Sequence, residues 1–179
     1  MKIYSLSRRN IDYSPSGKIN SGFTLIEILV SIGIMMTLVG LGVAGYNEFN
    51  ENQRVKQAAL TLKNNIRLAQ NRARSSIKPG DVRCNDPGTT YNGYHIWAAA
   101  GSQYSLAAHC TDAGGSDHDI SVVIIDLSTD VTTSAFNILF PPVTSAITGA
   151  GDIVLTSGSG KSYQLTVSSS GDVSGPVKL

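Results

Sequence analysis

The chain has 179 residues and a formal net charge of +1, which leaves room for one ordinary soluble domain beside an apolar segment and excludes two such domains. A balance so close to neutral also excludes a chain-wide basic surface of the kind that grips nucleic acid or an anionic membrane. The charge is unevenly placed, however: residues 1–22 hold Lys2, Arg8, Arg9 and Lys18 against Asp12 alone, so the positive excess precedes the apolar run.

Residues 23–46, FTLIEILVSIGIMMTLVGLGVAGY, carry a single charge, Glu27. As a helix rising about 1.5 Å per residue they would span about 36 Å, enough for a hydrocarbon core of about 30 Å. The run exceeds the roughly 7–15 apolar residues of a cleaved secretory signal, and no small-x-small site follows it, so it is expected to stay in the mature chain. Arg8, Arg9 and Lys18 keep its N-terminal end cytoplasmic under the positive-inside rule and send the rest across an inner membrane. The small residues Gly33, Gly40, Gly42 and Gly45 permit close helix packing.

Helical periodicity continues past the apolar run. Val55, Ala59, Leu62, Ile66, Ala69 and Ala73 recur at steps of three or four between polar residues, one amphipathic face. The same helix is expected to reach about residue 77, where Pro79 disfavours helical geometry at Lys78 and Gly80 completes the break. Residues 47–78 are thus an amphipathic continuation of the helix. The run Arg67, Arg72, Arg74 and Lys78 reads as its wet face, with acidic Asp side chains on a neighbouring head as the alternative partner.

Residues 80–179 contain 24 Ser and Thr, 12 Gly, only 12 Asp, Lys and Arg, and no Glu, the texture of an exported β-rich head over residues 79–179. Residues 91–99 and 103–109 read as a hairpin, and residues 120–127, ISVVIIDL, as a β-branched run suited to a buried strand. Residues 135–140 form a further strand ended by Pro141 and Pro142. Residues 152–156 and 162–168 pair across the turn at 158–160, with Tyr163, Leu165 and Val167 on the packed face. Cys84 and Cys110 both lie in the head. An even count beyond a membrane segment fits one disulfide in an oxidising compartment, and two separate buried thiols are the alternative. Without a CxxC pair, redox catalysis is not indicated.

The junction of leader and helix, Ser21-Gly22-Phe23-Thr24-Leu25-Ile26-Glu27, carries the most information. Gly22 has no side chain, so a peptide bond there can be extended and approached by a protease at the membrane face. Phe23 would become a new N-terminus with a positive amine. Glu27 is otherwise costly: an unpaired ionised side chain in an apolar segment costs about 2–3 kcal/mol at the centre, less near an interface. A neighbour's terminal amine would offset that cost and set the axial register between subunits.

GFTLIE followed by a hydrophobic helix resembles the signal of type IV pilins and type II secretion pseudopilins. The resemblance implies a pilin-like α+β fold: a long N-terminal helix, transmembrane then amphipathic, packed against an antiparallel β-sheet head. It further implies cleavage by a prepilin peptidase between Gly22 and Phe23, N-methylation of Phe23, and Glu27 as the assembly carboxylate. The partners it implies are other pilins or pseudopilins in a filament, the peptidase, and an inner-membrane assembly platform. The head is similar to the GspH/FimT group of minor subunits in the order of its segments: the amphipathic helix, GYHIWAAAGSQYSLAAHC, ISVVIIDL, FNILFPP and IVLTSGSGKSYQLTVSSSGDV. That likeness implies two sheets and a place near the filament tip. Relatives that bind DNA use a basic C-terminal motif; Ser170-Gly171-Asp172-Val173 is acidic instead, so no nucleic-acid partner is expected.

Other polar groups read more plainly. Asp112, Asp117 and Asp119 form an acidic Gly-rich loop, a weak calcium candidate whose spacing matches no EF-hand; a solvated loop is the stronger reading. His95, His109 and His118 lack the short-range partners of a zinc site and read as surface or hairpin residues. Trp97 and Tyr94 read as sheet packing. With no G-x-S-x-G elbow and no cofactor motif, neither enzymatic activity nor a cofactor is expected. The competing function is a membrane-anchored binding or adhesion module.

Overall fold

The structure, a computed structural model, describes residues 22–142 and 146–179, without the side chains of residues 41–45. The expected leader, residues 1–22, therefore lies outside the described residues except for Gly22. By its contacts the chain falls into two compact units, Met1–Val43 and Ala44–Leu179.

Helix α1 runs Leu25–Arg74. Its residues in the first unit show no buried face: Leu25, Ile28, Leu29, Ile32, Met35 and Leu38 are all exposed. In the second unit the periodicity read from the sequence becomes packing, with Val55, Ala59, Leu62, Ile66, Ala69 and Ala73 each at 0 % exposure. Three of these six are alanines, which let the helix backbone approach the sheets closely.

The helix stops three residues earlier than expected. The Ser76 amide donates to the Ala73 carbonyl (2.9 Å) and the Ile77 amide to that of Arg72 (3.1 Å), while Ser76 itself takes φ 48°. This is a Schellman closure with a serine in the left-handed position. Pro79 and Gly80 then follow a helix already ended. A single turn, α2 (Val82–Asn85), comes next, capped by Asp81, whose carboxylate accepts the Arg83 amide at 2.9 Å. It carries Cys84, joined by a disulfide to Cys110, with 5.5 Å between the two Cα atoms. Such a cross-link stabilises a domain by roughly 3–4 kcal/mol on the chain-entropy account.

Eight strands follow: β1 Thr90–Ala98, β2 Gln103–Thr111, β3 Asp117–Asp126, β4 Val131–Thr133, β5 Phe136–Phe140, β6 Gly151–Ser157, β7 Ser162–Val167 and β8 Val173–Lys178. They form two antiparallel sheets, ordered β3-β2-β1-β5 and β4-β6-β7-β8. One buried core unites α1 with both sheets: Leu62 and Ile66 with Tyr104, Ile96, Phe140, Ile153 and Leu165. Three polar contacts fix the helix across it: the Asn65 amide donates to the Tyr104 hydroxyl (2.6 Å), Gln70 to the Gly171 carbonyl (3.1 Å), and Lys63 to that of Gly175. The fold is thus α+β, a long helix against two four-stranded sheets.

Both expected hairpins form, and Tyr163, Leu165 and Val167 face inward. The ISVVIIDL strand is corrected. β3 is an edge strand of its sheet, and Val122, Val123 and Ile124 are 46 %, 49 % and 63 % exposed; only Ile120 is buried. Its pairing slips where Leu106 faces Val123 but Ala108 faces Ile120, and Ser121 takes φ 56° at that bulge. The extra residue re-aims the following side chains. Strands β4 and β8 were not foreseen: β4 is three residues long, and β8 contains Gly175-Pro176, a pair that reads as a turn but is tolerated on an edge strand.

Candidate functional site

The N-terminal end of α1 is built from Thr24 outward. Its carbonyl accepts the amides of Glu27 (3.1 Å) and Ile28 (3.2 Å), and its hydroxyl accepts the Glu27 amide at 3.3 Å. Thr24 is therefore the N-cap and Glu27 the third residue of the helix, where the unsatisfied amides of the first turn favour a negative charge. The Thr-x-x-Glu spacing is the sequence signal that announces this cap. Ahead of the cap, Gly22 lies outside the helix and is exposed, with open space where a Cβ would stand, and Phe23 is 78 % exposed. The two residues of the expected cut thus lie outside the helix, in accessible backbone.

Over residues 25–40 the helix is apolar on every side. The hydroxyls in this stretch are satisfied within it: Ser31 donates to the Glu27 carbonyl (2.7 Å) and Thr37 to that of Ile34 (2.8 Å), so neither needs water. Among the described residues Glu27 has no ion-pair partner, and no helix is long and apolar enough to cross a membrane; the side chains of residues 41–45, part of the apolar run of the sequence, lie outside them. A surface of this kind, exposed and apolar all round, marks a segment that is covered by lipid or by other helices when it functions.

The polar residues singled out in the head fall into separate places. Asp112 closes its loop by accepting the amides of Gly114 (2.9 Å) and Ser116 (2.8 Å) and the His118 ring at 3.0 Å. The His118 bond first, then the backbone amides, hold its carboxyl below the usual range. Asp117 accepts the Thr111 hydroxyl (2.6 Å). Asp119, two residues on along β3, takes His95 and His109, with Asp117 on the far side of the His109 ring. Among the described residues the three carboxylates do not converge on one point. Of the basic run, Arg72 on α1 lies over the Tyr94 ring at 5.7 Å, and Lys78, beyond the end of the helix, over that of Tyr91 at 6.0 Å. Trp97 stacks on His95, with ring centroids 4.2 Å apart. Burial pushes the Tyr91 and Tyr104 hydroxyls up.

Residues 17–43 match the family described as "Prokaryotic N-terminal methylation motif". In this segment the chain is type IV pilin-like, a structural and not an enzymatic class. No curated protein and no solved structure matches the chain significantly.

Proposed function

We propose that the chain is the precursor of a minor subunit of a type II secretion pseudopilus or type IV pilus, of the GspH/FimT kind. A prepilin peptidase cuts between Gly22 and Phe23 and the new amine of Phe23 is methylated. Before assembly, residues 23–46 anchor the subunit as a single pass in the inner membrane, N-terminus cytoplasmic and residues 79–179 periplasmic. After assembly the same helix packs among its neighbours, drawn from an assembly platform into the fibre, and Glu27 pairs with the Phe23 amine of an adjacent subunit.

The observation that carries this reading is the N-terminal segment itself: a capped helix, apolar on every side over residues 25–40, with one carboxylate in its first turn and an accessible Gly22-Phe23 bond just ahead. The N-terminal methylation motif over residues 17–43 supports the processing step. Two four-stranded sheets against the helix support the minor-subunit assignment.

Co-expression with a prepilin peptidase followed by mass spectrometry tests it. The expected product lacks residues 1–22 and carries one added methyl group on Phe23; an uncut product sinks the reading. In a system that builds the filament, Glu27→Ala is expected to be cut normally and left out of the fibre. Normal incorporation of that variant removes Glu27 from the mechanism.

A further inference from the structure

The outer face of the first sheet brings together two imidazoles and a carboxylate that the sequence holds far apart. His95 stands on β1, His109 on β2 and Asp119 on β3, with His109 and Asp119 directly paired across their strands. Asp119 Oδ1 is 3.0 Å from His95 Nδ1 and 2.9 Å from His109 Nδ1, and the three potential ligand atoms lie within 4.8 Å of one another. The side chains are largely shielded, at 14 %, 17 % and 27 % exposure for His95, His109 and Asp119. Ligands that share a metal at about 2.0–2.1 Å stand about 3.3 Å apart, so small movements of these side chains admit an ion.

The far sides of the rings supply a second, independent observation. His95 Nε2 lies 2.8 Å from Asn137 Oδ1 on β5, and His109 Nε2 faces Asp117 Oδ2 at 3.9 Å. With Nε2 of a neutral His95 donating to the Asn137 oxygen, Nδ1 presents its lone pair toward Asp119 Oδ1 at 3.0 Å. Either a proton on Nδ1 or a bound cation then fills the space between Nδ1 and the carboxylate. An oxygen bonded to the ring's second nitrogen, as Asn137 is to His95, is the usual support of a metal-bound histidine. Stacking on Trp97 further fixes the His95 plane.

We propose that His95, His109 and Asp119 form a site for one borderline divalent cation of the zinc class, bound through His Nδ1 and carboxylate oxygen, with water completing the shell. Nitrogen ligands and low coordination number select zinc over calcium or magnesium, which take oxygen shells of six or more. The ion ties edge strand β3 to β2 and β1 beside the bulge at Ser121. The site is independent of N-terminal processing.

Titration of the tag-free full chain in detergent with a zinc salt, read by calorimetry and by histidine ring nitrogen shifts, tests this. Expected is one ion per chain at micromolar concentrations, with Nδ1 shifts at His95 and His109 and none at His118, and no competition from millimolar calcium. Zinc should raise the unfolding temperature of the wild-type chain. His95→Gln and His109→Gln should each weaken binding by about tenfold or more and abolish that rise, while unfolding like wild type in chelator; His118→Gln should bind normally. Absence of saturable binding, affinity unchanged in both His95→Gln and His109→Gln, or loss only in His118→Gln overturns the proposal.

Discussion

Glu27 stands three residues after the capping hydroxyl of Thr24. At that position the helix end favours a carboxylate by roughly 0.3–1 kcal/mol. Apolar surroundings disfavour an unpaired charge by about 3 kcal/mol at a helix centre and by less toward its end. The helix end thus offsets part of the cost and leaves a need for a cation, which the proposed Phe23 amine of a neighbour meets. A carboxylate whose partner is visible gives a simpler test. Arg83 binds Asp81 through two side-chain bonds, Nε to Oδ1 at 3.0 Å and Nη2 to Oδ2 at 2.9 Å. These bonds first, then the Arg83 amide, lower the Asp81 carboxyl from 3.8 to about 2. A folded value below the unfolded one means the contribution is complete above pH 3.8 and disappears as pH falls toward 2. Carboxyl-detected NMR should find the Asp81 midpoint near 2 in the wild type and higher in Arg83→Ala, where only the amide of residue 83 still lowers it. A wild-type midpoint near 3.8 would show that the pair does not form.

At the scale of elements, α1 acts as two different surfaces in one helix. Its second half owes its place to a row of contacts with the sheets, so those positions should dominate the stability of residues 44–179. Leu62 is 0 % exposed and Leu60, two residues away, is 40 % exposed. Leu62→Ala should cost about 2–5 kcal/mol, the range for a buried leucine truncated to alanine, and Leu60→Ala roughly 0.5 kcal/mol. Denaturant unfolding followed through the single Trp97 measures both; equal losses would mean the helix is not seated on this face. That face was legible because a period of three to four is a local signal, carried by neighbouring residues of one element. The edge position of β3 was not, because an apolar β-branched run looks the same whether one strand or two flank it. Strands β4 and β8 escaped for shortness and for Gly175-Pro176. The same contrast separates the two sites. Gly22, Phe23 and Glu27 lie within six residues of chain and announce themselves, whereas His95, His109 and Asp119 meet only through the register of three strands.

For the whole molecule the two units make opposite demands on solvent. Every residue of the buried core lies between Val55 and Val173, while the described side chains before residue 41 are exposed and predominantly apolar. Removal of residues 1–46 therefore deletes no residue of the described core, and it takes away the long apolar surface of residues 25–40 that water would have to wet. A chain of residues 47–179, exported to an oxidising compartment so that Cys84 and Cys110 can join, should be monomeric without detergent and unfold in one cooperative step. Reduction of its disulfide should lower its stability by roughly 3–4 kcal/mol. Residues 23–179 should instead need detergent or lipid to stay monodisperse. Size-exclusion chromatography with light scattering decides between these outcomes. Aggregation of residues 47–179 would mean that the first part of α1 completes the fold, and an apolar segment with that duty is not free to leave a membrane and enter a fibre. A soluble, cooperative fragment would leave residues 23–46 available for anchoring and assembly, the two duties that the proposed function gives them in succession.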